Sequence, residues 1–286
     1  TTMKKFYTLM VLCLALSITV SAQVQAPQPS PYTKVEQKVG LTDVTLEYSR
    51  PGVKGRTIFG DLVTLDKMWR TGANKNSIVT FSTSVMINGK KIEAGSYAIF
   101  TKPSIQSWEI NFYSDTENWG TPEAWDAAKV AATVSAKSMK LNDKVESFTI
   151  SIENLSDGSA DLSISWDKTK VVVPFTVPTD EMVMASIEKT MAGPSSNDYY
   201  AAGRYYKDSG KDYNKALEMI NKSIEMRGEE KFWMVRQKAL TLAKLGKTKE
   251  AIMAAEKSMA LAKIAGNDDY VKSNEKSIAE WKSMKK

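Results

Sequence analysis

Val171 to Met191, V-V-V-P-F-T-V-P-T-D-E-M-V-M-A-S-I-E-K-T-M, is where the chain changes its rule. Before Pro178 the apolar residues Val171, Val173, Phe175 and Val177 recur every second position, the mark of a half-buried strand. Pro174 cannot donate to a ladder, so this run belongs at a sheet edge or bulge. From Thr179 or Asp180, either of which can cap a helix, the period becomes 3.6 and runs to Met191, where Gly193-Pro194 stops it. One sheet-forming half therefore precedes one helical half.

Upstream the period of two persists. Val35, Gln37 and Val39 share one face, and Val44, Leu46 and Tyr48 share the next. Ser77 to Ser82, Val85 to Ile87 and Lys91-Ile92 follow, the last two around Asn88-Gly89. An Asn-Gly pair between apolar alternations is a strong hairpin signal, because both central residues of a type I′ turn need positive φ. Ala94-Gly95 turns the chain into Tyr97 to Thr101, and Trp108 to Tyr113 alternates again. Thr121-Pro122-Glu123 predicts a short helix through Trp125, with Pro at its first position. Val130, Ala132 and Val134 resume the alternation, and Phe148, Ile150 and Ile152 are expected to pair with Leu162, Ile164 and Trp166 across Asp157-Gly158. Eight to ten short strands with almost no helix predict an all-β sandwich or flattened barrel, followed by an all-α helical-repeat domain.

Downstream the chain repeats itself. Gly210 to Ala216 and Lys222-Ser223 correspond to Gly246 to Ala251 and Lys257-Ser258, with 36 residues between the glycines and 35 between the alanines. Gly203 and Ala239 stand seven residues before those glycines, and Tyr206 and Leu242 four before. This resembles the tetratricopeptide repeat, whose period is about 34 with small residues where paired helices touch. Two units are short for a free solenoid, so either the helices from Thr179 to Met191 and from Asn267 to Trp281 cover its ends or the repeats lean on the β-domain. Such repeats imply an unknown protein or peptide partner. The methionines from Met182 to Met259 at helical spacing are read as core filler or as an adaptable groove.

At the other end, Lys4-Lys5, the apolar Phe6 to Val20 and the small residues of Val20-Ser21-Ala22 read as a secretory signal peptide. The expected division is 1–22 signal peptide, 23–31 proline-rich linker, 32–178 β-domain and 179–286 helical domain. Export to a periplasmic or extracellular location follows, with no transmembrane segment after cleavage. Cys13, the only cysteine, would leave with the peptide, and there is no histidine in the 286 residues. That closes Ser-His-Asp and Cys-His catalysis and histidine-based metal sites in the exported chain. No cofactor or metal is expected. The 39 Lys and Arg against 33 Asp and Glu give +6, and losing Lys4 and Lys5 lowers it by two. So small a surplus does not call for nucleic acid.

The unusual stretch is Ser49 to Asn74, S-R-P-G-V-K-G-R-T-I-F-G-D-L-V-T-L-D-K-M-W-R-T-G-A-N. It is too rich in glycine and cations for one helix or strand, and too apolar for a solvated loop. It reads as a long ordered connection, a type that is often functional. Arg50, Lys54, Arg56, Trp69, Arg70 and Asn74 are the candidate ligand-binding residues, for an anionic envelope ligand cradled by guanidinium forks. The alternative is that the arginines staple the loop to backbone carbonyls and to Asp61 or Asp66. Trp69, like Trp108, Trp119, Trp125 and Trp166, is either a stacking platform or core. A second candidate chemistry is glycan hydrolysis by a carboxylate pair drawn from Asp115, Glu117, Glu123 and Asp126 around Trp119. The favoured reading is a non-enzymatic envelope binding or scaffolding protein.

S-R-P-x-x-K-G-R-x-I-F-G from Ser49, then Leu62-Val63, Trp69 to Asn74 and Ala94-Gly95-Ser96-Tyr97, resembles the secreted bacterial DUF2911 family over about Tyr32 to Val177. Thr64-Leu65 departs from the proline and aromatic often found there. The resemblance implies a β-rich envelope domain, sometimes followed by helical repeats, and no assigned activity or catalytic residue.

Overall fold

A computed structural model describes residues 26–284. The expected signal peptide, with Cys13, lies outside the described residues. The chain divides into two units after Pro178. In the first, ten strands run β1 (Tyr32–Val39), β2 (Thr42–Ser49), β3 (Ala73–Phe81), β4 (Val85–Ile87), β5 (Lys90–Ile92), β6 (Gly95–Lys102), β7 (Ser107–Tyr113), β8 (Val130–Lys137), β9 (Met139–Glu153) and β10 (Ser159–Thr176). They form two antiparallel sheets, one of six strands in the order β1-β2-β3-β6-β7-β8 and one of four in the order β5-β4-β10-β9. This is the sandwich that the alternation calls for. Leu46, Val79, Ile99, Ile110 and Val134 from one sheet and Ile87, Ile150, Ile164 and Phe175 from the other share its core. The Tyr48 hydroxyl crosses the core to donate to the Ile150 carbonyl at 2.8 Å.

The Asn88-Gly89 hairpin forms between β4 and β5, with φ of 49° and 76° at the two turn residues. Two expectations need correction, and one strand segment carries no signal in the sequence. No helix forms over Thr121 to Trp125, and only a one-turn 3-10 helix follows, Ala127–Lys129, capped by Asp126. Trp125 instead stacks on Tyr113 at 4.6 Å, so a tertiary aromatic contact overrides the cap signal. Met139 to Ser147, too polar to read as a strand, is the first half of β9. Finally, the runs before and after Asp167 are one strand with a corner. Eighteen extended residues would span about 60 Å, yet Val177 N donates to Gly158 O at 2.9 Å just beyond the two ends of β10. Asp167 has φ 52°, and the register against β9 shifts on both sides of it. Pro174 falls past the last residue paired with β9 and before the first paired with β4.

The second unit consists of six helices, α1 (Thr179–Thr190), α2 (Ser196–Asp208), α3 (Tyr213–Arg227), α4 (Phe232–Lys244), α5 (Thr248–Ile264) and α6 (Asp268–Ser283). The repeated small residues lie where helices cross. A Cβ on Gly203 would meet Ile220 Cγ1 at 2.8 Å and the Ala216 carbonyl at 3.1 Å. Ala239, Ala251 and Ala255 are fully buried in the next cluster, with Ile278 and Trp281 of α6 packed into it. Met184 and Ile187 of α1 and Met191 just beyond it pack against the cluster of Tyr206 and Met219, which uses these methionines as filler. No helix among the described residues is long and apolar enough to cross a membrane.

Glu153, near the bend, gives the β-unit an acid-sensitive contact. Burial alone would raise its carboxyl, but hydrogen bonds from Lys170 (2.6 Å), Ser151 (2.8 Å) and Ser163 (3.1 Å) outweigh burial and hold it below the usual carboxylate range. A carboxyl depressed in the folded state stabilises the fold above its unfolded value and loses that contribution as pH falls through the folded one. Glu153→Gln is therefore expected to cost stability at neutral pH, with the gap to the parent closing as denaturant melts are repeated from pH 7 toward pH 3. A gap that stays constant with pH contradicts this assignment.

Candidate functional site

The loop between β2 and β3 is ordered because it pairs with both sheets. Val53 N donates to Glu146 O at 2.8 Å and Phe148 N to Pro51 O at 2.9 Å, tying its first part to β9. Trp69 N donates to Thr101 O at 2.7 Å and Thr101 N to Trp69 O at 2.9 Å, tying its second part to β6. Between them Phe59 and Trp69 insert into the core. Trp69 stacks on Trp166 at 6.0 Å and meets Phe59, Trp108 and Phe148 edge-on. All five rings sit at alternating or loop positions, and each edge contact adds about 0.5–1.5 kcal/mol beyond area burial.

Arg50 and Arg56 are engaged by oxygens of the sandwich itself. Arg50 Nε donates to the Phe148 carbonyl at 3.0 Å and its Nη2 to Thr149 Oγ1 at 2.8 Å. Arg56 Nε and Nη2 donate to the Val53 and Gly52 carbonyls at 3.1 and 2.7 Å. Lys54 offers its backbone N–H to Glu146 Oε1 at 2.7 Å and reaches the Pro29 carbonyl at 3.5 Å. Arg70 is partly buried, and its Nε has no hydrogen-bond partner among the described residues. Neither Asp61 nor Asp66 takes an arginine. The carbonyl contacts of Arg50 and Arg56 are the kind the second reading of the loop expects, its contacts to Asp61 or Asp66 are not made, and Arg70 has no explanation.

Trp-Arg-Thr-Gly-Ala-Asn is a backbone feature too. Thr71, Gly72 and Asn74 have φ of 58°, 142° and 60°. The Thr71 hydroxyl donates to Thr101 Oγ1 at 3.0 Å and the Ser77 hydroxyl to the Thr71 carbonyl. A Cβ on Gly72 would lie 2.9 Å from Ser77 Oγ, so only glycine fits.

Asn74 leads to a hollow. Its amide donates to the Ser30 carbonyl at 3.3 Å and Ser49 Oγ at 3.2 Å, and Arg50 N donates to Pro31 O at 2.9 Å. The end of the expected free linker is thereby laid along the β-unit. Beside it opens a hollow of about 640 Å³ whose lining includes Tyr32, Glu47, Asn74, Lys75, Glu117 and Trp119. Trp119 is 78% exposed. Its backbone is nonetheless fixed, since it bridges Lys75 of β3, and buried Asn76 takes Asn118 N at 2.9 Å and gives to Thr116 O at 3.2 Å. Sequence reading placed Trp119 among ambiguous aromatics, and no local signal separates it from the core tryptophans.

The acids near Trp119 are mostly engaged. Asp115 accepts from Lys129 Nζ at 2.8 Å and from Glu117 N at 3.2 Å, and these contacts hold its carboxyl below the usual range. Asp126 caps the 3-10 turn, and Glu117 pairs with Lys75 at 3.0 Å. Glu47 accepts from the Tyr32 hydroxyl at 2.5 Å, which pushes that phenol up. Among the described residues no three acidic or thiol groups cluster as a metal site would require.

Two substitutions separate scaffold from site here. Gly72→Ala should cost about 2 kcal/mol or more in urea melts, from positive φ and crowding together. Arg50→Ala should cost about 1–3 kcal/mol by removing a charged donor from a buried carbonyl. A stability unchanged in either variant contradicts the staple geometry.

A comparison with family models matches residues 30–175 to one described as a protein of unknown function, DUF2911. No curated protein and no solved structure matches the chain. The matched segment takes in all ten strands but for the last residue of β10, the stapled loop and nearly all of the hollow's lining, and it is more than half of the sequence: the chain belongs to the DUF2911 family.

Proposed function

We propose that the β-unit is a non-enzymatic binding module of an exported envelope protein, and that it takes a neutral, hydroxyl-rich ligand, a carbohydrate chain, in the hollow beside Trp119. The observation that carries this reading is an indole 78% exposed on a backbone pinned to β3. Leaving so large an apolar ring in water on a rigid support is unfavourable unless something covers it. A sugar ring offers an apolar C–H face to the indole and hydroxyls to the Asn74, Tyr32 and Glu47 polar groups around it.

The charges favour this over an anion. The hollow carries Glu47 and Glu117 against Lys75, so its fixed charge is net negative. Hydrolysis has less support, since a general acid needs a raised carboxyl and that of Asp115 is lowered. Export rests on the Lys4 to Ala22 pattern.

Affinity electrophoresis of the full chain in gels containing dextran, xylan or a β-glucan tests the proposal. Retardation by at least one polysaccharide is expected, with Trp119→Ala weakening it about tenfold at unchanged melting temperature. Absence of retardation on the panel, or equal retardation of the variant, counts against a carbohydrate site.

A further inference from the structure

The helical unit holds a cation that nothing around it neutralises. Arg236 of α4 is partly buried. It donates from Nη1 to Asn274 Oδ1 at 3.2 Å and from Nη2 to Ser277 Oγ at 2.9 Å, both on α6. Both partners are neutral, and among the described residues Arg236 has no carboxylate partner. Desolvation pulls the guanidinium below its ordinary value, although it remains charged. A guanidinium partly withdrawn from water with no counter-ion gains from meeting a carboxylate, and its two hydrogen bonds leave donors to offer one.

The groups nearby suit an oxyanion. Phe232, one turn before Arg236 on α4, carries a contact from α6, and the adjacent Trp233 carries one from α2, so both helices reach α4 here. The Tyr270 ring is held edge-on to Phe232 at 4.7 Å and the Tyr200 ring edge-on to Trp233 at 4.7 Å. Ser277, already in contact with Arg236, also lines a hollow of about 500 Å³ with Leu240, Ala243 and Trp281. The lining of that hollow balances its own charges, Lys207 and Lys244 against Asp208 and Glu280. Arg236 is thus surplus positive charge at the edge of a partly apolar hollow.

We propose that Arg236, with Tyr270 and Ser277, receives the carboxylate of an acidic peptide segment whose neighbouring apolar side chain enters the hollow against Leu240 and Trp281. The apolar wall selects a peptide over a free inorganic anion, which has no group to place there. This site is on the helical unit and does not depend on the carbohydrate reading of the β-unit.

The test is titration of the full chain with N-acetyl-(Leu-Glu)4-amide, its (Leu-Gln)4 counterpart and inorganic phosphate. The acidic peptide is expected to bind at least about ten times more tightly than the neutral one, consistent with one charge-assisted contact, and phosphate at equal concentration is expected not to displace it. Arg236→Gln should lose about tenfold in affinity. Tyr270→Phe, which keeps the ring against Phe232, should weaken binding at unchanged melting temperature, so the proposal stays testable if Arg236→Gln does not fold. Failure of the acidic peptide to bind, equal binding of the two peptides, full affinity in both variants, or displacement by equimolar phosphate overturns it.

Discussion

The β-unit depends on one constraint: a connection of two dozen residues must be held still between two sheets that it does not belong to. It is held by pairing with a strand of each, β9 through Val53 and Pro51 and β6 through Trp69. The Trp69 ring then fills the space between the sheets against Phe59, Trp108, Phe148 and Trp166. Arg50 and Arg56 satisfy carbonyls that the irregular backbone leaves open. Cations in a glycine-rich loop invite an anion-binding reading, but buried carbonyls need donors just as much, and a guanidinium supplies several from one side chain.

What was legible in the sequence was local. The Asn88-Gly89 turn, the alternation of β2, β6 and β7, and the change of period at Thr179 each rest on residues near one another in the chain. The small residues Gly203 and Ala239 were legible because a helix crossing leaves no room for more. What was missed depends on distant partners. Trp125 abandons its helix signal for Tyr113, and the polar first half of β9 is a strand because β10 and the stapled loop lie alongside. Asp167 bends β10 in a run whose alternation on either side looked like two strands.

The sites follow the same division. Asn74 belongs to the loop that sequence singled out, but the hollow it borders is completed by Tyr32, Glu47 and Trp119 from three other segments. Trp119 is set apart from Trp69 by what each is paired to and packed against, a long-range property. Arg236 stands out only once its two neutral partners on α6 are known.

The central claim is that the loop is part of the sandwich's framework and not a surface excursion. Native-state hydrogen exchange of the Val53, Val63 and Trp69 amides tests it most directly, since each donates to a backbone carbonyl and cooperative core elements open only with global unfolding. The account predicts protection equal to that of Val79 and Ile99 in the central strands. Exchange of the Trp69 amide at rates typical of open loops, while β3 and β6 stay protected, would contradict it.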